Sequence, residues 1–311
     1  NTTATIRWNR LISNKIFSNA SFIVSDYLLK IYLMEEYAGD KFELSYRSGI
    51  RDVGLKYDLS WIPNPKHTIR FGISSVHHRF TPSAVVIRDD NQNQFSREVK
   101  TINTIESGLY VEEEMKIADR AIFNAGFRLS HFHHGNKNEI HLEPRITGSY
   151  FLNKVMSVKA SFAQMNQYIH LLSNTGVGLP TDLWVPATSK VPSQKSWQAA
   201  FGLVTDIPSF ASTLTLEGYY KKSRNIIAYR EGASFLLVDN PDGANEITWE
   251  NNITSGMGSS YGIELMAQRK AGKLSGWIGY TLSWTKLQFA ELNFGKPFFA
   301  KYDRRHDLSI V

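Results

Sequence analysis

The chain has 311 residues, 42% hydrophobic, 13% aromatic and 21% charged, enough for one large or two medium domains. Cysteine is absent, which excludes disulfide scaffolds, thiol catalysis and cysteine-bound zinc. The net charge of +6 comes from Lys and Arg scattered without a dense block, which argues against nucleic acid as a partner.

No stretch approaches the roughly 18 consecutive apolar residues of a transmembrane helix, and no leader follows Asn1, which is therefore not expected to be the native start. The mean hydropathy of -0.28 decides nothing, because strands that alternate lipid-facing with lumen-facing residues dilute their own apolar face.

Alternation begins at once. Residues 3–11 form a strand, Ser13-Asn14-Lys15 turns, and 16–34 returns with Ile16, Ala20, Phe22 and Val24 on one face. Residues 35–40 make a modest loop, and 42–61 sets Phe42, Leu44 and Tyr46 against Glu43, Ser45 and Arg47, before Pro63 and Pro65 enforce a turn. Residues 68–79 follow with Ile69, Phe71 and Ile73 aligned, and 80–100 reads as a long polar loop. Residues 101–117 alternate Ile105, Leu109 and Val111 with Glu106, Glu112, Glu114 and Lys116; Ala118-Asp119-Arg120 turns, and 121–132 returns with Phe123, Ala125, Phe127 and Leu129 on one face.

After 133–138, residues 140–152 give the cleanest two-residue period, Ile140, Leu142, Ile146 and Tyr150 against His141, Glu143, Arg145 and Thr147. Strands over 155–168 and 197–207 flank a loop at 169–196; a strand over 211–229 precedes a loop at 231–258, whose Asn240-Pro241-Asp242-Gly243 predicts a small hairpin of its own. Tyr261, Ile263, Leu265 and Ala267 share a face, Lys270-Ala271-Gly272-Lys273 turns, and 273–289 aligns Leu274, Ile278, Tyr280, Leu282 and Trp284. A last strand opens at 302–311.

These strands exceed the 5 to 6 residues typical of globular sheets and reach the roughly 9 to 11 that a tilted membrane-spanning strand needs. There are about thirteen of them, joined strictly alternately by tight turns and longer loops, as in an outer-membrane barrel with turns on the periplasmic side. The expected fold class is all-β, an antiparallel transmembrane β-barrel. A soluble sandwich or propeller would have shorter strands and loops unsorted by parity. The face opposite the apolar one carries Arg47, Glu106, Glu112, Glu114, Glu143, Arg145, Glu217 and Glu264. In a barrel these point to the lumen, which must be wet or filled with protein because unpaired buried charge is costly.

The strings LWVPATSKVPSQKSWQAAFGL, WENNITSGMGSSYGIEL, GWIGYTLSWT and GKPFFAKYDRRHDLSIV, and more weakly HLEPRITGSYFL and SVKASFAQMNQYIHLLS, resemble the TonB-dependent outer-membrane receptors of the Bacteroidetes kind. The resemblance implies a barrel of about 22 strands occluded by an N-terminal plug, with a short box that engages TonB in the periplasm. Its implied partners are the TonB complex, acting through the plug, the plug domain itself, and outer-membrane lipid and lipopolysaccharide. A surface lipoprotein partner would point to glycan or peptide cargo. The plug, the box and roughly nine further strands are expected outside this chain, which is then part of one barrel domain and would by itself leave two unpaired edges. The implied function is TonB-dependent import of a scarce nutrient of the siderophore, haem, vitamin, glycan or peptide class. A passive porin or structural barrel is the alternative.

No residue set converges on catalysis, and no cofactor is expected. Glu112 and Glu114 sit two apart on a face rich in other charge, where contact with a plug explains them better than acid–base chemistry. His77, His78, His131, His133, His134 and His141 fall near outer strand ends and invite a metal or haem reading. His77 and His131 are however about 10 Å apart across an intervening strand, too far for ligands about 2 Å from zinc. Exposed outer aromatics are stronger ligand candidates, because rings offer area at low entropic cost. Phe80, Phe95, Trp184 and Trp249, with His134, are the expected substrate contacts, against a competing role as interfacial anchors.

Overall fold

In a computed structural model, the chain is described over residues 1–311 except 38–39, 90–93, 98–100, 173–182 and 232–248; for Leu33 and residues 35–37, 40–47, 83–89 and 94–97 the backbone alone is described. Its strands are β1 (Thr2–Ser13), β2 (Ile16–Tyr37), β3 (Asp40–Asn64), β4 (His67–Asp89), β5 (Gln94–Arg97), β6 (Ile102–Ile117), β7 (Ala121–His134), β8 (Lys137–Phe151), β9 (Met156–Gln167), β10 (Ile169–Leu172), β11 (Leu183–Pro186), β12 (Gln194–Ile207), β13 (Ser212–Tyr229), β14 (Ile253–Arg269), β15 (Gly276–Phe289), β16 (Phe298–Phe299) and β17 (His306–Ile310).

Fifteen of these strands form one antiparallel sheet in the order β1-β2-β3-β4-β6-β7-β8-β9-β12-β13-β14-β15-β16, with β5 on β4 and β17 on β15. β16 and β17 share one position: β16 pairs the outer part of β15 (Lys286 with Phe299) and β17 its inner part (Ile278 with Ile310). Among the described residues no helix is long and apolar enough to cross a membrane, a statement that does not bear on strands.

Register turns the period of two into two continuous faces. Trp8, Ala20, Tyr57, Ile73, Leu109, Leu129 and Leu142 stand opposite one another across neighbouring strands from β1 to β8. Phe162, Ala199, Tyr220, Tyr261 and Trp284 continue the same face from β9 to β15. These apolar side chains are uncovered by protein, Ile73 at 57%, Leu109 at 56% and Leu142 at 55% exposure. A contiguous apolar face of this extent marks a membrane-facing or partner-facing surface.

The opposite face is polar and tightly fitted. Asp58, Gly72, Tyr110, Arg128 and Glu143 form one of its rows. A Cβ on Gly72 would lie 2.1 Å from the Tyr110 ring, so the missing side chain lets that ring lie flat on the wall, where its hydroxyl donates to Asp58 Oδ1 at 2.7 Å. Gly108 accommodates the Arg128 guanidinium in the same way.

The sequence reading needs three corrections. Residues 80–100 are not simply a loop: β4 runs on to Asp89, opposite Phe42 of β3, and β5 pairs back onto it. β3 is itself long, so its backbone groups offer the β-branched run Val85-Val86-Ile87 a ladder to complete. β14 likewise begins at Ile253, paired with Tyr229, within the predicted 231–258 loop. Nor do tight and long connections alternate strictly: β2 and β3 pair as far as Tyr37 and Asp40, and β7 and β8 close over Gly135-Asn136, where Gly135 takes φ 55°. At these two ends the outer excursion is made of extended strand rather than loop. The hairpin expected at Asn240–Gly243 lies outside the described residues.

Candidate functional site

The segment between β9 and β12 does not stand away from the sheet. Its β10–β11 hairpin folds onto the polar face, against β3, β4 and β13. Tyr168, the residue that turns the chain off β9, stacks on Phe132 with ring centroids 4.8 Å apart and 3° between planes.

The Tyr168 hydroxyl sits in a directed chain. Ser130 Oγ donates to Glu143 Oε1 at 2.8 Å, so Tyr168 donates to Ser130 Oγ at 2.8 Å and His141 Nδ1 donates to the Tyr168 oxygen at 3.0 Å. Burial pushes the Tyr168 phenol up to about 12, which keeps it a donor.

A second set of bonds ties the segment to the β7–β8 tip. Lys137 Nζ donates to the carbonyls of Thr188 at 2.7 Å and Val191 at 3.0 Å and pairs with Glu139 at 3.1 Å. Ser193 Oγ donates to Glu139 Oε2 at 2.5 Å, and Thr188 Oγ1 donates to Glu250. Asn225, at φ 60° in the bulge of β13, donates to the Ser193 carbonyl at 2.9 Å. Beneath lies an apolar cluster of Leu172, Leu183, Val185, Val191, Trp249 and Ile253. His170 is buried in this segment, and burial pushes its imidazole down to about 4, so it is neutral.

The expected substrate contacts fare unequally. Phe80 is fully buried in β4 and Trp249 is 7% exposed within the apolar cluster, so these rings hold segments down instead of standing open to a ligand; the correction follows from burial that the sequence does not show. Trp184 on β11 lines a cavity of about 450 Å³ and meets Tyr27 edge-on at 6.4 Å. His134 Nδ1 bonds the Asn103 carbonyl at 3.0 Å. The Phe95 and Arg47 side chains lie outside the described residues.

Glu106, Glu112, Glu114, Glu143, Arg145, Glu217 and Glu264 all stand on the polar face. Glu112 pairs with Arg70 at 2.8 Å and Glu106 with Arg128 at 3.5 Å, while Glu217 and Glu264 are directly opposed across β13–β14. The histidines scatter. His78 pairs with Asp52 at 2.8 Å, His131 and His133 approach one Asn138 oxygen at 3.4 and 2.9 Å, and it is His133, not His131, that stands in line with His77 across β6. Among the described residues no three His, Cys, Asp or Glu side chains are grouped to hold a metal.

The sequence reading missed Tyr27, Asp52, Asn166, Tyr168, Lys137 and His170. The polar alternation of β2 and β3 was the available signal for Tyr27 and Asp52. The others matter only because a distant segment returns to the sheet.

The sequence profile described as "TonB dependent receptor-like, beta-barrel" matches residues 4–305. The chain belongs to the TonB-dependent receptor-like β-barrel family. No curated protein matches this receptor chain. Solved structures similar to it include the ferric yersiniabactin uptake receptor of Yersinia pestis (TM-score 0.66, 14% identity, 98% of this chain and 45% of that one). The ferric-catecholate import receptor of E. coli K12 is also similar (0.64, 13%, 98% and 50%), as is the ferripyoverdine receptor of the Pseudomonas aeruginosa outer membrane bound to ferripyoverdine (0.65, 11%, 99% and 42%). At these identities the likeness carries the fold, and the receptor chain spans about half the length of these structures. As a family member it lies in the outer membrane of a Gram-negative bacterium, with an open sheet that forms part of the barrel wall.

Proposed function

We propose that the chain is the central wall of a TonB-dependent importer, with the apolar face against lipid, the polar face lining the lumen, and the charges from Glu106 to Glu264 facing water and a plug encoded elsewhere in the same protein. The observation that carries the reading is the position of residues 168–172 and 183–193, which in a family barrel fold inward over the polar face at the same end as the β7–β8 turn. A binding receptor needs such a surface at its outer mouth, where a wide passive channel would need an open one. Trp184 is the retained aromatic contact, and the closing strings resemble those of the Bacteroidetes kind. Energy enters through TonB acting on the plug, and cargo is a scarce nutrient. The solved neighbours named for ferric yersiniabactin, ferric catecholate and ferripyoverdine put ferric chelates among the classes to be screened.

The test is depletion of a mixed nutrient medium by cells carrying the full-length receptor, with and without a functional TonB. A compound depleted only when both are present supports import. Depletion that persists without TonB would establish the passive porin reading instead.

A further inference from the structure

We propose that the cavity between the folded-in segment and the wall is a subsite for a cationic nitrogen group, a guanidinium or protonated amine, carried by the cargo. The inference rests on the importer reading and adds the chemical class that this part of the mouth selects.

The cavity, about 450 Å³, is closed on one side by Asn166, Gln167, Tyr168 and Trp184 and on the other by Tyr27, Asp52 and Glu106, with isoleucines completing it. That volume suits a sizeable organic group rather than a bare ion. Its polar atoms are unequally committed. Gln167 Nε2 donates to the Ile169 carbonyl at 2.6 Å and Asn166 Nδ2 to Glu143 at 3.3 Å, so one N–H of each amide is spent on the protein. Asn166 Oδ1, by contrast, is buried and has no hydrogen-bond partner among the described residues. The Tyr168 hydroxyl is engaged by Ser130 and His141.

The acceptors at the cavity include the buried Asn166 oxygen and the carboxylates of Asp52 and Glu106. No described residue lining the cavity is a cation; His78 and Arg128 reach these carboxylates from outside the lining, at 2.8 and 3.5 Å. An orphaned buried acceptor costs free energy until a donor reaches it. A planar or tetrahedral N–H cation supplies several donors at once, and its charge meets the two carboxylates. The Tyr27–Trp184 pair, edge to face at 77°, supplies the π-surface on which such a cation is further attracted. An anionic group would meet the two carboxylates with no cation in the described lining to balance them.

The experiment titrates the full-length receptor, purified in detergent, with N-acetyl-L-arginine amide and with its neutral isostere N-acetyl-L-citrulline amide, read by calorimetry. Saturable binding of the arginine compound, at least about tenfold tighter than the citrulline one and weakened by salt, is expected. The double variant Asp52→Asn, Glu106→Gln should lose that preference while keeping the heat-modifiable gel mobility of a folded barrel. Equal binding of the two amides, absence of saturation, or a folded double variant with unchanged preference would each overturn the proposal. The comparison on unmodified receptor decides the matter even if the variant does not fold. No arm depends on TonB, so failure here leaves the import test standing, and failure of import leaves this one readable.

Discussion

At the residue scale, what a side chain costs depends on which face its parity assigns it to. Phe127, mid-strand in β7, stands on the apolar face and is 50% exposed, whereas Asn124 stands on the polar face opposite Glu114. Phe127→Arg should destabilise the folded barrel by about 2 to 4 kcal/mol if it lies near the bilayer midplane, and Asn124→Arg far less. Equilibrium unfolding of the full-length protein in lipid vesicles measures both, and equal sensitivity would sink the facing assignment. Gly72 poses a different question, because the neighbour that fills its space is a hydrogen-bonded ring. Gly72→Ala should push Tyr110 off the wall and break its bond to Asp58, at a cost of about 1 to 3 kcal/mol, whereas Gly148→Ala, with nothing nearer than 3.9 Å, should be close to neutral. Parity was legible in the sequence at both kinds of position. The fit of Tyr110 over Gly72 was not, since it joins residues paired only through the register of β4 and β6.

At the scale of the element, the docking of residues 168–172 and 183–193 depends on a group that responds to pH. His170 is buried neutral, with burial lowering its pKa to about 4, its ring donating to the Pro192 carbonyl and Lys137 nearby. When the segment is released, its imidazole regains an ordinary pKa near 6.5. The undocked state therefore binds more protons between these values, so docking is fully favoured above about 6.5 and weakens as pH falls toward about 4. Hydrogen exchange over residues 168–172 and 183–193, corrected for intrinsic rates, should show protection lost in that window. His170→Gln, which keeps a donor for Pro192 but does not titrate, should abolish the dependence. None of this could be read from the chain in order. Residues 169–196 look like a loop because their apolar residues have no strand period; Leu172, Leu183, Val185 and Val191 are buried because β10 pairs with β11 and both lie on a sheet assembled from elsewhere.

At the scale of the whole molecule, the sheet has two open margins, β1 on one side and β16 with β17 on the other. An uncovered strand edge is a template for association with another chain, and in a bilayer its unpaired backbone groups cost several kcal/mol each. Residues 1–311 expressed alone should accordingly form polydisperse aggregates in detergent, while the full-length receptor stays monodisperse; light scattering distinguishes the two. A monodisperse, heat-modifiable species from the fragment would show that the wall closes on itself.

The sequence by itself determined the two-faced long strands and their antiparallel order, because a period of two and the turn residues between strands are local properties that survive any packing, while the family was legible by resemblance in strings such as GWIGYTLSWT. It also marked the charged face from Glu106 to Glu264. Tertiary structure alone decided that outer segments extend as paired strands, that Phe80 and Trp249 are buried, and that Tyr27, Asp52, Glu106, Asn166 and Trp184 surround one cavity. The physical reason is the same in each case. Whether a backbone group finds a ladder partner, a ring finds cover, or an oxygen is left without a donor depends on chain that lies far away in sequence, and only folding brings it near.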